Sequence, residues 1–110
     1  MAGWYELSKN AKGEFHFVLK AGNAETILSS EHYGSRAAAE GGIASVQKNS
    51  PDPARYERKA ASNGKFYFTL KAANHQVIGT SQMYGSEAAR DGGIASVQNN
   101  GPSATVKEIA

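Results

Sequence analysis

Residues of the kinds that most often carry out chemistry are few in this 110-residue sequence, and they do not cluster. The three histidines, His16, His32 and His75, lie far apart, and no metal-ligand spacing joins them. Cysteine is absent, which excludes thiol catalysis, disulfides and Cys-ligated zinc. Gly64-Lys65 lacks the first glycine and the Ser/Thr of a phosphate-binding loop, and neither G-x-G-x-x-G nor G-x-S-x-G occurs. The sequence therefore predicts a non-enzyme with no catalytic residue, metal site or cofactor.

Aromatic and basic residues that alternate with apolar ones are better candidates for a functional surface. Phe15, Phe17 and Leu19 occupy every second position, which is the period of a strand with one buried face. If helices cover that face, the opposite face stays open. The sequence then places these binding-face candidates there: Trp4, His16, Lys20, Arg55, Lys59, Tyr67 and Lys71.

Two partner classes fit such a face, and an ordinary solvated sheet face is the plain structural alternative. The favoured interpretation is a small structural or interaction module that binds a protein partner. The alternative is single-stranded nucleic acid, with bases stacked on Trp4 and Tyr67 and phosphates bound by nearby cations. Against it stand the formal net charge of +2 and the carboxylates Glu6 and Glu57, which fall on the same face by alternation.

An internal duplication supplies the elements that position these residues. Residues 3–51 laid over 54–102 give 25 identities in 49 positions. The longest shared block is G-G-I-A-S-V-Q, which begins at Gly41 and again at Gly92. The same offset makes residues 105–109 the start of a third copy, and we expect this strand to pair with the sheet of the preceding unit as its closing member.

Each copy reads as three strands followed by one helix. Turns are predicted at Asn23 and Asn74, because asparagine tolerates the left-handed backbone conformation. Several repeated residues have structural roles by position. Ser35 and Ser86 stand where helix N-caps are expected, and Asn49 and Asn100 stand at the helix C-termini. Gly42 and Gly93 are expected to let each helix lie close to the sheet, and close approach of a ligand is the alternative role for these two glycines.

The predicted fold class is α+β, with residues 1–110 forming one domain of two repeats and a C-terminal strand. We expect one continuous antiparallel sheet of about seven strands with two helices on the same face. A monomer is predicted, because the duplication supplies the pseudo-dimer. No stretch approaches the ~18 apolar residues of a membrane helix, and the N-terminus does not resemble a signal peptide. A cytoplasmic protein without a membrane partner is therefore expected.

The repeated motifs also carry a resemblance to a known family. The run F-x-F-x-L-K-A, followed by Asn, Ile, Ser and Tyr and then by G-I-A-S-V-x-x-N, resembles the YegP-like family of bacterial proteins over essentially the whole chain. The resemblance implies strand-strand-strand-helix-strand units joined into one sheet, and it implies no assigned biochemical activity. The family turn often reads Asn-Gly, whereas this chain has Asn23-Ala24 and Asn74-His75.

Overall fold

A computed structural model describes residues 3–109 of the chain. Each copy contributes three strands and then a helix, and a seventh strand follows the second copy. The strands are β1 (Trp4–Lys9), β2 (Phe15–Lys20), β3 (Thr26–Ser29), β4 (Tyr56–Ala60), β5 (Phe66–Lys71), β6 (Val77–Thr80) and β7 (Val106–Ile109). The helices are α1 (Arg36–Asn49) and α2 (Glu87–Asn100), and a short 3₁₀ turn (Pro53–Arg55) precedes β4.

All seven strands form one sheet in the order β4-β5-β6-β3-β2-β1-β7. The two copies meet at the antiparallel pair β3–β6, where Ser29 lies opposite Thr80. Both helices contribute to a single apolar core, and each contacts strands of both copies. The prediction of one continuous sheet with two helices on one face is confirmed.

The closing strand departs from the prediction in partner and in direction. β7 runs parallel to β1, so the sheet is mixed rather than wholly antiparallel, and β7 joins the first copy rather than the second. The reason is that β1 already fills the place beside β2 that a third copy would take. The Tyr5 hydroxyl donates to the Gly101 carbonyl at the end of α2, at 2.6 Å, just as Tyr56 donates to Ser50 after α1. Lys107 stands at the repeat position of these tyrosines and cannot replace them in the core.

The repeated helix glycines make room for a tyrosine ring beneath each helix. A Cβ on Gly42 would stand 2.8 Å from Cζ of Tyr33 and 2.9 Å from Cε2 of Phe17, and a Cβ on Gly93 would stand 2.6 Å from Cζ of Tyr84. Tyr33 stacks on Phe17 with an interplanar angle of 9°. The glycines therefore let each helix approach the aromatic layer of the sheet more closely than any side chain would permit.

In the turns that follow β2 and β5, the residue with the left-handed backbone conformation comes one position later than the predicted asparagine. Ala24 and His75 have φ angles of 71° and 68°, while the preceding asparagine side chains accept the N–H of Glu25 and Gln76. Asparagine thus stabilises the turn through its side chain, and the following residue carries the unfavourable backbone angle. Neither 14-residue helix within residues 3–109 has the length and apolarity of a membrane span.

Candidate functional site

The face of the sheet opposite the helices, called here the open face, carries most of the predicted binding residues. Cross-strand register places Trp4 opposite Lys20 on β1 and β2, and Lys59 opposite Tyr67 on β4 and β5. These pairs alternate with the buried pairs of the core. Because β6 and β3 separate β5 from β2, these two strands lie about 14 Å apart, at three strand spacings of ~4.8 Å. The residues on β1 and β2 are therefore separated from those on β4 and β5. The predicted residues therefore form two clusters rather than one patch.

In the first cluster the indole of Trp4 already has protein partners. Its Nε1–H donates to a carboxylate oxygen of Glu6 at 2.9 Å, and Nζ of Lys107 lies 4.5 Å from the ring centroid. A cation over an indole face is attracted by the ring quadrupole. Trp4 is half-buried as a result, and the β7 residue Lys107, which the sequence did not suggest, is part of its surroundings.

In the second cluster a carboxylate engages two of the predicted cations. Glu57 lies 2.9 Å from Nζ of Lys71 and 3.5 Å from Nζ of Lys59. The hydrogen bond from Lys71, together with the positive charges of both lysines, holds the pKa of Glu57 below its ordinary value. Tyr67 lies beside this group and is half-buried.

Arg55 lies in the turn immediately before β4 rather than on the strand, so strand alternation does not determine its position. It ends the 3₁₀ turn before β4, and its Nε is 3.5 Å from a carboxylate oxygen of Asp52. Pro53 starts that turn, and the Asp52 side chain caps it by accepting the Ala54 N–H. The proline and the aspartate end the strand alternation on which the prediction depended.

Two of the three histidines come together on the first copy. The rings of His16 and His32 have centroids 5.4 Å apart, and Oγ of Ser8 lies 3.3 Å from Nδ1 of His16. Within residues 3–109 no group of three or more His, Cys, Asp or Glu side chains could hold a metal ion. Tyr67 and Met83 stand at the equivalent positions of the second copy. His16 and His32 therefore make a ring-to-ring contact within the first copy.

The repeated serines and asparagines bind backbone groups. Ser35 and Ser86 are the N-caps of the helices, each accepting the N–H three residues on at 3.1 Å. Asn49 and Asn100 end the helices and donate to the carbonyls of the residues four positions earlier at 2.8 Å. The residues after them, Ser50 and Gly101, stay right-handed, so no left-handed cap forms there.

A buried polar network at the helix C-termini was missed by sequence reasoning. Tyr5 and Tyr56 bind the carbonyls that end the two helices, and Oδ1 of Asn100 accepts the buried Gly3 N–H at 2.7 Å. Burial raises the pKa of both tyrosine hydroxyls well above their ordinary value. The repeat of Tyr at positions 5 and 56 was the sequence feature that could have indicated this network. The hydrogen bonds of the network join the two copies.

A cavity of about 400 Å³ lies away from the open-face clusters, between the β1–β2 turn, the start of α1 and β7. Its polar lining includes Lys9, Asn10, Arg36 and Glu108. The Arg36 guanidinium is already bound by Glu108 at 2.6 Å and by Glu40 at 3.3 Å. The Arg36 guanidinium is therefore engaged by two carboxylates of the protein rather than directed at a ligand.

Comparison with known proteins agrees with the duplicated architecture. The family model described as "Domain of unknown function (DUF1508)" matches twice, over residues 10–57 and 61–108. Each match spans two strands, a helix and the strand that follows it, so β4 and β7 occupy equivalent places in the two matches.

Similar proteins occur in several bacteria and match along nearly their full length. The chain is 67% identical over 108 residues to UPF0339 protein YegP of Shigella flexneri, with 98% of both chains covered. It is 66% identical to a UPF0339 protein of Acinetobacter baylyi, covering 99% of this chain and 98% of the relative. The solution NMR structure of yegP from E. coli, described as a protein of unknown function, superposes with a TM-score of 0.93 at 66% identity, covering 98% of this chain and 93% of that one.

Proposed function

We infer that this chain, which belongs to the DUF1508 family, is a non-catalytic interaction module that binds a protein partner on its open face. The observation that carries the proposal is the pairing of charges there. Glu57 is bound by Lys59 and Lys71, while Glu6 accepts the indole N–H of Trp4. Protein interfaces are enriched in Trp and Tyr, and half-buried rings of both types, Trp4 and Tyr67, lie on this face.

The same pairing argues against single-stranded nucleic acid. A phosphate would have to compete with Glu57 for both lysines, and Arg55 is already beside Asp52. Lys107 lies over the Trp4 ring and occupies one stacking surface. A nucleic-acid site usually combines free cations with open aromatic rings, and each of the two clusters lacks one or both of these.

A capture experiment with matched variants tests the proposal. Wild-type protein, Trp4→Ala, Tyr67→Ala and the exposed control Lys12→Ala would be used to capture partners from nuclease-treated bacterial lysate. We expect one stoichiometric protein that is retained by wild type and Lys12→Ala and is lost from both aromatic variants. Equal retention by all four proteins would place the interface elsewhere. A partner that wild type captures from untreated lysate but not from nuclease-treated lysate would favour the nucleic-acid alternative.

Fluorescence of the single tryptophan gives a direct second test. Titration of the protein with random single-stranded oligonucleotides at low salt should leave Trp4 emission unchanged up to high micromolar concentrations. Quenching that weakens with added salt would contradict the protein-partner proposal, because counterion release makes nucleic-acid binding strongly salt-dependent.

We further propose that the protein is a cytoplasmic monomer. The duplication supports this, because both halves of the pseudo-symmetric sheet come from one chain. The absence of cysteine is compatible with a reducing compartment. Sedimentation at high protein concentration should give the 11.6 kDa monomer mass, and cell fractionation should recover the protein with cytoplasmic markers. A concentration-dependent dimer would contradict the first expectation.

A further inference from the structure

His16 and His32 lie opposite each other on two backbone segments that are fixed side by side. Phe15 on β2 and Tyr33 before α1 form an antiparallel bridge and exchange both of their backbone hydrogen bonds, at 2.8 Å and 2.7 Å. In an antiparallel pair the next two residues, 16 and 32, then face each other with their side chains on the same side and close together. One residue further along β2, the backbone carbonyl accepts the Ser30 N–H at 2.9 Å. The backbone is therefore held on both sides of the histidine pair.

The separation of the two imidazole rings suits a shared zinc ion. An ion bonded to one ring nitrogen at about 2.0 Å lies about 3.2 Å from that ring's centroid, and two such rings at a tetrahedral angle have centroids about 5.2 Å apart. The centroids of His16 and His32 are 5.4 Å apart, and the rings are tilted by 52°. Rotation about χ2, which is a broad torsion in histidine, can then bring one nitrogen of each ring to a common ion.

Ser8 supplies a hydrogen-bonding group beside the pair. It lies opposite His16 on β1, with its Oγ 3.3 Å from Nδ1 and 3.5 Å from Nε2 of that ring. A zinc-bound histidine almost always donates its other ring N–H to a nearby acceptor, which fixes the tautomer and the ring orientation. The Ser8 hydroxyl is in place to accept that N–H. Because His32 is exposed, an ion can reach the two rings directly from solvent.

The second copy has the same backbone framework with different side chains. The antiparallel bridge recurs there as Phe66↔Tyr84. The three equivalent positions hold Tyr67, Met83 and Lys59. Zinc prefers imidazole, thiolate and carboxylate ligands, and an ammonium group repels a cation. The fold therefore does not require histidine at these positions, and the pair is a feature of the first copy alone among the described residues 3–109.

We propose that His16 and His32 together bind a zinc ion, with Ser8 accepting the free ring N–H of His16. No third His, Cys, Asp or Glu joins the pair within residues 3–109, so water completes the tetrahedron. Imidazole ligands select zinc and similar transition ions, whereas Mg²⁺ and Ca²⁺ prefer oxygen. Because the first imidazole bond makes the second one intramolecular, the pair should bind zinc about 100-fold more tightly than a single histidine. This site does not depend on the protein partner proposed above.

Variants that carry the second copy's own residues test the site on the full-length protein. Calorimetric titration with Zn²⁺ alone should show one ion bound per wild-type chain. His16→Tyr and His32→Met should each weaken that binding by about 100-fold. His75→Asn, which changes the exposed histidine of the β5–β6 turn, should leave it unchanged. Equal zinc affinity in all four proteins would overturn the proposal, because it would mean that single histidines bind zinc independently.

NMR of the histidine rings gives a second readout on wild-type protein. The ring signals of His16 and His32 should move together with added Zn²⁺ and should not move with Mg²⁺, while those of His75 stay in place. Independent shifts of all three rings would contradict shared coordination. Ser8→Ala should weaken zinc binding by about ten-fold, and an unchanged affinity would contradict its assigned contact. Since the protein partner is tested with Trp4 and Tyr67 variants and this site with histidine variants, either proposal can fail while the other stands.

Discussion

The two copies differ most at their first strands, although both build the same strand-and-helix framework. β1 is covered by β7 on its outer edge, and Leu7 on it is 1% exposed. β4 is an edge strand, and the residue equivalent to Leu7 is Arg58, which is exposed and bound to Asp91 at 2.9 Å. The same repeat position is thus apolar where the sheet continues and charged where it ends. Charged edge strands are a common protection against unwanted pairing.

The helix C-termini show a second difference between the copies. Both terminal asparagines bind their own helix, and among the contacts of residues 3–109 Asn100 alone of the two also accepts a buried backbone N–H, that of Gly3. In the other copy the residue equivalent to Gly3 is Ala54, whose N–H is bound by Asp52. The hydrogen bond between Gly3 and Asn100 therefore joins the start of the first copy to the end of α2. No such bond is needed between α1 and β4, because these two elements follow each other along the chain.

The largest expected effect tests the difference between the first strands. Leu7→Ala should lower the free energy of unfolding by about 2–5 kcal/mol, because it removes a fully buried side chain. Arg58→Ala should cost no more than about 1 kcal/mol, because its ion pair is exposed. Urea unfolding of both variants measures the contrast, and similar costs would show that β7 does not bury the β1 edge.

The glycines beneath the helices provide the next test, with a control beside each. Gly42→Ala and Gly93→Ala should each destabilise by about 1–3 kcal/mol, since the added Cβ meets a tyrosine ring. Gly41→Ala and Gly92→Ala should be neutral or stabilise by up to about 1 kcal/mol, because nothing lies within 4 Å of a Cβ there. Thermal unfolding decides the sign. Destabilisation by all four substitutions would point to backbone conformation instead of packing.

Replacement of the helix-terminal asparagines tests the joining of the copies. Asn100→Ala should cost about 1–2 kcal/mol more than Asn49→Ala, because it also leaves the buried Gly3 N–H without its acceptor. Chemical denaturation measures the difference, and amide exchange at Gly3 should accelerate in the first variant alone. Equal costs would mean that water replaces the lost acceptor.

The smallest expected effect is a pH dependence located in the second copy. The pKa of Glu57 lies below its ordinary value of 4.5, with the Lys71 hydrogen bond as the largest cause. Its stabilising contribution is therefore complete above that value and is lost as the pH falls through the lower folded-state pKa. Wild-type protein should lose more thermal stability than Glu57→Gln between about pH 6 and pH 3. Equal losses of thermal stability in the two proteins would show that the ion pairs of Glu57 with Lys59 and Lys71 do not stabilise the fold.

Much of the open face was predictable, because strand alternation depends only on local sequence. Trp4, Lys20 and Tyr67 lie where the period of two places them. Arg55 lies before β4, in the turn that Asp52 and Pro53 form, where the period of two does not apply. The separation of the two clusters was not predictable from alternation, because it depends on the strand order across the sheet.

The sequence by itself determined the duplication, the number of strands and helices, the serine N-caps and the glycine positions. Each of these depends on contacts within one unit, where residue type and spacing carry the information. Only the tertiary structure decided that β7 pairs in parallel with β1 and that the Glu57 carboxylate binds the ammonium groups of both Lys59 and Lys71. These features depend on which distant segments of the chain meet. Because β1 already occupies the place beside β2, β7 pairs with the outer edge of β1 instead.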